Sequence, residues 1–446
     1  MKITISGEDT IAVRLAEALM HEHEVTMIIP KSLENPVFDT LNVQTFRGSQ
    51  TSSKLLKEAC IFDADLFVAC GKADETNLVA CAEAKRMRAK KVVCFLRGQA
   101  VQTNENDAAQ LAKTLGIDKV ILPALRLAKE IQKIVMVPGA LEADAFENGK
   151  VRLVKRRIEA GSRFDGVLLK DVGVPEGVVL TMCERDAERY IPHGETLLQA
   201  GDKLTAMGNI GGIERLIRRY MANTDVGPDP RRAIIVGGGS VGFAIAESLE
   251  DHGWKIKVIE SDRQRAEEIA GQLKGLVLHG DGTNLSLLRE ENVGDTPVLI
   301  AVTSNDEKNL LVSLLAKEEG VKRILTRAEN YTNEQLFESV GIDVVRSTTG
   351  AAVTAVLRGV LRSERDFMAE FNHGDVRILR LRMAENVEPV ELSKMSAPVF
   401  AIVGAILRDE KVVIPQGKDV VQAGDELLVF CQTTHVEQTR EFFNNL

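Results

Sequence analysis

The chain has 446 residues, too many for one ordinary hydrophobic core, and its 44% hydrophobic and 27% charged residues are typical of folded globular domains. A net charge of −9 disfavours nucleic-acid binding, because there is no basic excess to neutralise phosphates. No uninterrupted apolar run approaches the roughly 18 residues of a spanning helix, and the first ten residues lack the apolar core of a signal peptide. We therefore expect about two to four domains in an intracellular chain that reaches a membrane only through a partner.

Residues 1–135 are predicted to form a first α/β domain. Short Val/Ile-rich strands, the first beginning at residue 2, alternate with helical segments. This βαβ spacing predicts a parallel, doubly wound sheet with helices on both faces. The last helical stretch, "RLAKEIQKIVMV" from Arg126, is apolar on one face, so we expect it to pack against its own domain or against another chain.

Residues 136–222 have a different texture, with short strands, turns and a terminal helix. They contain "IPHGETLLQAGDKL" from Ile191 to Leu204, in which a Gly-Asp turn precedes a final strand. Such a module suits small-ligand binding or packing against a similar module. The following "NTDVGPDPRR" carries Gly227, Pro228 and Pro230, an ordinary linker composition.

The second half of the chain repeats the first. The stretch "FRGSQTSSKLLKEACIFDADLFVACGKADETNLVACAEAK" from Phe46 aligns with "LHGDGTNLSLLREENVGDTPVLIAVTSNDEKNLLVSLLAK" from Leu278, an offset of 278 − 46 = 232. "FENGKVRLVKRRI" from Phe146 matches "FNHGDVRILRLRM" from Phe371, an offset of 225. Eight of fourteen letters agree between the Ile191 module and "IPQGKDVVQAGDEL" from Ile414. Nearly constant offsets indicate two intact tandem copies.

The repeat predicts four domains. Each copy has a doubly wound parallel sheet followed by a small β-rich α+β domain, with boundaries at 1–135 and 136–222 in the first copy and 231–362 and 363–446 in the second. The helical stretch "GAAVTAVLRGVLRSE" from Gly350 joins the two domains of the second copy, as the Arg126 stretch joins those of the first.

The strongest chemical signal is the glycine-rich loop in "RAIIVGGGSVGFAIAESL". Gly237, Gly239 and Gly242 follow a predicted strand and open a helix; they would allow a tight turn, approach of a pyrophosphate, and close helix–sheet packing, in that order. The next strand, "KIKVIES", ends in Glu260, whose carboxylate suits the hydroxyls of an adenosine ribose and would repel the 2′-phosphate of NADP. This context predicts a Rossmann-like sheet with a dinucleotide crevice.

Further polar residues follow later strands of the same predicted sheet. Asp281 follows the third strand in "HGDGT", and Thr303, Ser304 and Asn305 follow the fourth. Arg327, placed after the fifth strand "RILT", offers a bidentate fork to a phosphate. The predicted site consists of Gly237, Gly239, Ser240, Val241, Gly242, Glu260, Asp281, Thr303, Ser304, Asn305 and Arg327.

The first copy has lost this apparatus. Its loop, "ISGEDTIAVRL", retains Gly7 but has Asp9 and Ala12 where the other glycines belong, and its second strand ends in Ile29 and Pro30. Glu8 and Asp9 would place negative charge against a pyrophosphate, which costs roughly 4 kcal/mol at ~4 Å and an effective dielectric of ~20. We expect no standard dinucleotide site there.

Metal chemistry is not indicated. The six cysteines form no C-x-x-C pair and no zinc spacing, and most stand in apolar runs, which predicts buried, reduced thiols.

These motifs together resemble the RCK or KTN family of potassium-conductance regulators, and within it the regulatory proteins of Trk-type potassium-uptake systems. "GGGSVG" with Glu260, "HGDGT", "TSNDEKNL" and the duplicated "QAGD" modules carry the resemblance over nearly the whole chain. It implies a cytoplasmic homotetramer at the inner face of the membrane, bound to a membrane potassium transporter. It also implies that the second copy holds NAD(H) or an adenine nucleotide (ATP or ADP) as an effector, without catalysis.

Two other classes deserve comparison. An NAD-dependent dehydrogenase needs a positioned acid or base in its second domain, and the candidate His193 corresponds to Gln416 in the other copy, which suggests a surface turn. A DNA-binding repressor would need a helix-turn-helix segment or a basic patch, and neither is evident. Both are less consistent with the sequence than a regulator.

Overall fold

Strands and helices alternate from the first residues of the computed structural model, which describes the chain except for residues 34–36, 99–104, 187, 222–230, 330, 362–366, 372–375, 396 and 410. The predicted linker residues Gly227, Pro228 and Pro230 lie outside the described residues. The first elements are β1 (Lys2–Ser6), α1 (Thr10–Leu19), β2 (Glu24–Ile29), α2 (Val37–Thr40), β3 (Gln44–Arg47), α3 (Ser53–Glu58), β4 (Leu66–Ala69), α4 (Asp74–Arg86), β5 (Lys91–Phe95), α5 (Glu105–Leu115), β6 (Lys119–Ile121) and α6 (Pro123–Val135).

The six strands β1–β6 form one parallel sheet in the order β3-β2-β1-β4-β5-β6. Its central strands are continuous apolar runs because helices cover both faces; β4, for example, is buried along its whole length. The prediction of a doubly wound sheet beginning at residue 2 is confirmed.

An antiparallel region follows the first sheet. Its elements are β7 (Ala140–Phe146), β8 (Val151–Arg157), β9 (Val167–Leu168), α7 (Leu169–Val172), β10 (Val178–Arg185), β11 (Glu188–Tyr190), β12 (Leu197–Leu198), β13 (Lys203–Gly208) and α8 (Ile210–Leu216). Five of the strands form a sheet in the order β11-β10-β13-β8-β7, and β9 pairs separately with β12.

The second copy repeats both arrangements. Its α/β elements are β14 (Arg232–Val236), α9 (Ser240–Asp251), β15 (Lys255–Glu260), α10 (Arg263–Ala270), β16 (Leu276–His279), α11 (Leu285–Glu290), β17 (Val298–Ala301), α12 (Asp306–Glu318), β18 (Arg323–Ala328), α13 (Tyr331–Ser339), β19 (Val344–Ser347) and α14 (Thr348–Leu361). The remaining elements are β20 (Phe367–Phe371), β21 (Val376–Arg382), β22 (Val390–Glu391), β23 (Ala401–Arg408), β24 (Lys411–Val413), β25 (Val420–Val421), β26 (Glu426–Gln432) and α15 (Val436–Asn444). Strand orders β16-β15-β14-β17-β18-β19 and β20-β21-β26-β23-β24 match those of the first copy.

The described residues form two compact units, and each unit combines corresponding domains of the two copies. One compact unit contains both parallel sheets (Met1–Lys129 with Ala233–Val360), and the other contains both antiparallel sheets (Glu130–Arg232 with Leu361–Leu446). No helix among the described residues is both long and apolar enough to cross a membrane.

The two antiparallel sheets share one core. Leu153, Met182 and Met207 of the first copy pack with Ile378 and Phe430 of the second. This observation favours mutual packing, one of the two roles that the repeated modules suggest from sequence.

The aspartate of each repeated "QAGD" module forms an ion pair with an arginine of its own antiparallel domain. The buried carboxylate of Asp202 accepts two bonds from Arg185, both 2.6 Å, and one from the backbone N–H of Gln199 at 2.9 Å. Asp425 accepts the same bonds from Arg408, both 2.7 Å, and from the N–H of Gln422 at 2.9 Å. Hydrogen bonding to Asp202 raises the pKa of Arg185. The module therefore has a structural role in both copies.

Candidate functional site

The second parallel sheet has a crevice where its strand order reverses. β14 and β17 lie side by side, and the connections from them run to opposite sides of the sheet, which is where open α/β sheets bind ligands. The loop after β14 touches the end of β17 closely: a Cβ on Gly237 would lie 2.9 Å from the Thr303 nitrogen.

The three glycines of the loop have separate structural reasons. Gly237 has a φ of 105°, which other residues adopt only with strain. A Cβ on Gly242 would lie 1.8 Å from the Gly237 carbonyl oxygen, so only glycine lets α9 approach the loop. A Cβ on Gly239 would instead meet no atom within 4 Å, so this glycine faces open space. The loop therefore leaves room beside its second glycine, where a pyrophosphate would approach.

Helix α9 begins at this open space with no side chain to cap it. Its N-cap residue is Gly239, so the first N–H groups of the helix and the positive end of its dipole are left to water or a ligand. Ser240, the first helical residue, is exposed, whereas Val241 is 4% exposed and packs into the core. Of these two, Ser240 is placed to meet a ligand with its side chain and Val241 only with its backbone.

Glu260 lies at the end of β15, as predicted, and its carboxylate borders the glycine loop. Its Oε2 accepts the N–H of Gly238 at 2.5 Å, and its Oε1 accepts the N–H of Asp262 at 2.8 Å. The Ser261 hydroxyl also donates to Oε1, at 3.3 Å. Because a carboxylate has about four acceptor positions, about one position remains for a ribose hydroxyl.

Arg265 is a neighbour of this loop that the sequence motifs do not reveal. Its Nε donates to the Gly238 carbonyl at 2.9 Å, and its guanidinium carbon lies 5.5 Å from the ring centroid of Phe243 on α9. Arg265 thus holds the side of the loop next to Glu260 from α10. Its position one turn into α10 is the only signal in the sequence, and many surface arginines share it.

Asp281 is at the mouth of the crevice but is already bonded. Its carboxylate accepts the N–H and the hydroxyl of Thr283 at 2.9 and 2.8 Å and pairs with Lys308 at 3.0 Å. These bonds, that from the Thr283 N–H first, lower the pKa of Asp281 to about 2. A ligand would meet an Asp281–Lys308 ion pair rather than a lone carboxylate.

The residues after β17 mainly cap α12. Asn305 is the N-cap and accepts the N–H of Lys308 at 2.7 Å, while the hydroxyl of Thr303 bonds to Asn309 at 2.7 Å. Ser304 is exposed between them. The sequence thus predicts the location of these residues at the crevice, and the structure adds that the side chains of Thr303 and Asn305 bond within the start of α12.

Arg327 is the penultimate residue of its strand and does not follow it, because β18 continues to Ala328. Its Nη2 donates to Glu329 at 2.9 Å, and its Nε is buried without a hydrogen-bond partner among the described residues. Sequence patterns gave no reason to include Glu329.

The equivalent crevice of the first copy contains side chains. Glu8 occupies the position of Gly238, and Gln50 that of Gly282. The carboxylate of Glu8 accepts the Gln50 amide at 2.9 Å and the N–H of Lys72 at 3.0 Å, and Gln50 is 4% exposed. Two glycine positions of the second copy are thus replaced by a mutually bonded pair, of which Gln50 is buried and Glu8 half-buried.

The N-terminus of α1 also carries its own anion. Asp9, at the position of Gly239, caps the helix by accepting the N–H groups of Ile11 and Ala12 at 3.1 and 3.2 Å. Arg97 forms an ion pair with the same carboxylate. Asp9 therefore lies where the second copy has open space, with a cation opposite it.

Comparisons with known proteins cover nearly the whole chain. The TrkA-N domain family matches residues 3–123 and 233–348, and the TrkA-C domain family matches residues 153–220 and 391–444. A Trk system potassium uptake protein TrkA homolog of Archaeoglobus fulgidus is 32% identical over 449 residues, which cover 99% of this chain and 100% of the relative. The Trk system potassium uptake protein TrkA of Haemophilus influenzae is 28% identical, over 96% of this chain and 95% of that protein.

Solved structures agree with the fold. The RCK domain of the GsuK channel has a TM-score of 0.62 at 18% identity, covering 99% of this chain and 95% of that one. A GsuK channel bound to NAD has a TM-score of 0.61 at 16% identity, covering 99% and 78%. These similarities confirm the predicted pairing of Rossmann-like and small β-rich domains.

Proposed function

The chain belongs to the TrkA family, and from that premise we propose that it is the nucleotide-responsive regulatory subunit of a Trk-type potassium-uptake transporter. The observation that carries the proposal is the open crevice of the second copy in a chain that matches TrkA relatives end to end. We propose the domain boundaries 1–135, 136–222, 231–362 and 363–446, because each pairs one sheet with its flanking helices.

The proposed effector is NAD(H), with ATP or ADP as possible occupants of the same crevice. Its diphosphate would meet the uncapped N-terminus of α9 beside Gly239, where N–H groups and the helix dipole favour an anion. Its adenosine ribose would bond to Glu260. The eleven residues predicted from sequence form the proposed site, and Arg265 and Glu329 join them.

The proposed assembly is a homotetramer that docks on a membrane potassium transporter at the cytoplasmic face. The family supports a transporter partner, since the relatives are named as parts of Trk potassium-uptake systems. Because the chain supplies two α/β domains, four chains would bring eight such units to one ring.

A dehydrogenase is the weaker alternative, and we propose that the chain is not an enzyme. The relatives that match at full length are potassium-uptake proteins. His193, the candidate acid from sequence, is exposed on a turn whose backbone N–H bonds to Thr196 at 2.9 Å.

The test is potassium uptake in cells that lack their own Trk regulator and express this chain with its Trk transporter subunit. Uptake at limiting potassium should require the wild-type chain, and Glu260→Ala should change its dependence on cellular nucleotide while the protein remains present. Uptake that does not depend on the chain would contradict the proposal, as would turnover of NADH with a carbonyl substrate by the purified protein.

A further inference from the structure

One end of the second crevice holds an ion pair that the proposed function leaves unexplained. The Arg327 guanidinium, 17% exposed, donates from Nη2 to Glu329 at 2.9 Å, and its Nε is a buried donor without a hydrogen-bond partner among the described residues. A carboxylate beside a proposed phosphate-binding arginine reduces the positive charge that the arginine offers.

The backbone of Glu329 is held in place on both sides. Its N–H donates to Asp306 at 2.9 Å, and its carbonyl accepts the Thr349 hydroxyl at 3.2 Å. Asp306 is in the first turn of α12, at the edge of the crevice. The backbone of Glu329 is therefore fixed at this end of the site, and its carboxylate, 58% exposed, bonds to Arg327.

This ion pair lies beyond the diphosphate position. Asn309 connects the two places: its Oδ1 accepts the Thr303 N–H at 2.8 Å, and its Nδ2 donates to the Arg327 carbonyl at 3.1 Å. A nucleotide anchored at Glu260 and at α9 would continue past Thr303 toward Arg327. Whatever follows its diphosphate, a second ribose or a third phosphate, would meet Glu329.

The first copy shows how far a side chain at this position reaches. Asp74 accepts the Arg97 N–H as Asp306 accepts the Glu329 N–H, so Arg97 is the counterpart of Glu329. Arg97 extends to Asp9 at the N-terminus of α1, the counterpart of the phosphate position. Position 329 thus faces the phosphate region, and its shorter side chain has the opposite charge and bonds to Arg327.

We propose that Glu329 determines which nucleotide the second copy accepts, favouring a dinucleotide over a nucleoside triphosphate. This inference rests on the proposed function. Glu329 offsets the positive charge of Arg327 and that of Arg97 of the first copy, so an added phosphate is attracted less than the arginines alone would attract it, whereas the hydroxyls of a second ribose are donors that Glu329 can accept.

The experiment compares NADH and ATP binding by titration calorimetry on the full chain, with EDTA and then with Mg²⁺. Glu329→Gln keeps the shape of the side chain and removes its charge. The matched control is Glu318→Gln, which changes an exposed carboxylate at the far end of α12, about 18 Å along the helix from Asp306. In EDTA, Glu329→Gln should strengthen ATP binding relative to NADH by about tenfold or more, and Glu318→Gln should leave the ratio unchanged.

Two results would overturn the inference. One is an ATP-to-NADH ratio that Glu329→Gln does not move while Glu260→Ala still weakens both ligands; the site then stands and only the selectivity claim fails. The other is loss of Mg²⁺-dependent ATP binding in Glu329→Gln, which would make Glu329 a metal ligand. Wild-type protein that binds neither nucleotide would contradict the proposed function itself.

Discussion

The two α/β copies have the same strand order and the same asparagine bridge, yet only one has an open crevice. Asn77 accepts the Gly71 N–H at 2.8 Å and donates to the Phe95 carbonyl at 3.0 Å, as Asn309 does at Thr303 and Arg327. The framework of the fold is thus unchanged.

The difference lies in a few side chains at the crevice. Glu8, Asp9 and Gln50 stand where the second copy has glycines, and Arg97 stands where it has Glu329. These four side chains bond to one another or to the α1 N-terminus. The comparison teaches that a nucleotide fold can persist when its ligand is replaced by the chain's own side chains, because the same N–H groups remain satisfied.

The sharpest test of the comparison is Gly242→Ala. The added Cβ would meet the Gly237 carbonyl at 1.8 Å, and since that atom is backbone, α9 must move away from the sheet. We expect NADH binding to fall by at least about a hundredfold and the free energy of unfolding to fall by about 3 kcal/mol.

Two matched variants accompany Gly242→Ala. Gly239→Ala meets no protein atom, so it should fold normally and lose only binding. Ala12→Gly in the first copy should cost about 1 kcal/mol or less. Calorimetry and chemical denaturation measure both quantities, and full NADH affinity in Gly242→Ala would contradict the assigned role of the third glycine.

Equivalent substitutions should have the same effect in the two antiparallel sheets, unlike in the two α/β domains. Asp202→Asn and Asp425→Asn each leave an arginine opposite a neutral amide in a buried turn. We expect each to lower the free energy of unfolding by about 2–3 kcal/mol, below the 3–5 kcal/mol of a fully buried pair because each guanidinium is partly exposed. Thermal unfolding that distinguishes the two variants clearly would show that the modules are not equivalent.

Acid should reveal one difference between these sheets. Burial would raise the pKa of Glu184, but Lys155 and Lys203 outweigh it and the pKa falls to about 2; the counterpart in the second copy is the uncharged Leu407. Because the folded pKa lies below the unfolded value near 4.5, this contribution is present above pH 4.5 and is lost as the pH falls toward 2.

Glu184→Gln should therefore be less stable than wild type by about 2 kcal/mol at pH 6, and the gap should close as the pH approaches 2. Melting curves of both proteins across this range provide the measurement. Parallel curves with a constant gap would mean that Glu184 does not carry the acid sensitivity.

Nucleotide binding should be asymmetric, with one dinucleotide per chain. Glu260→Ala removes a charged acceptor of the ribose hydroxyls and should weaken NADH binding at least about tenfold, whereas Pro30→Ala, one residue beyond the equivalent strand end, should have no effect. NADPH should bind more weakly than NADH. Calorimetric stoichiometry and affinity on the full chain decide this, and two sites per chain or an unchanged Glu260→Ala would defeat it.

The smallest expected effect is a partial reopening of the first copy. Changing Glu8, Asp9 and Gln50 together to glycine removes the Glu8–Gln50 pair and the helix cap. Because Ala12 and Ile29 remain, only a weak second binding event should appear, and it should require high NADH concentrations. If stoichiometry stays at one per chain at such concentrations, the side chains are not what closes the crevice.

The fold is well predicted from the sequence because its strands, helices and glycine loop are each encoded by residues close together in the chain. Alternating apolar strands and helices predict both sheets, and the spacing of Gly237, Gly239 and Gly242 before Glu260 predicts the loop that the structure contains. The family resemblance is likewise confirmed.

The missed features depend on contacts between distant residues. Gln50 meets Glu8 across 42 positions, Arg97 meets Asp9 across 88, and neither pair has a spacing that a motif could express. Arg265 and Glu329 have no distinctive neighbours in the sequence. The "QAGD" aspartates pair with Arg185 and Arg408, each 17 residues earlier. The repeat preserves this spacing, but the spacing alone does not predict an ion pair.

Asp9 has a further consequence in terms of mass action. A carboxylate that is covalently part of the chain competes for the α1 N-terminus at an effective concentration of about millimolar or more, whatever the cell contains. A nucleotide displaces it only if its own affinity for the site outweighs that effective concentration, whereas at α9 no side chain caps the helix and the nucleotide competes only with water. The occupancy of the α1 N-terminus would then not change with nucleotide concentration, and only the second α/β domain would respond to it.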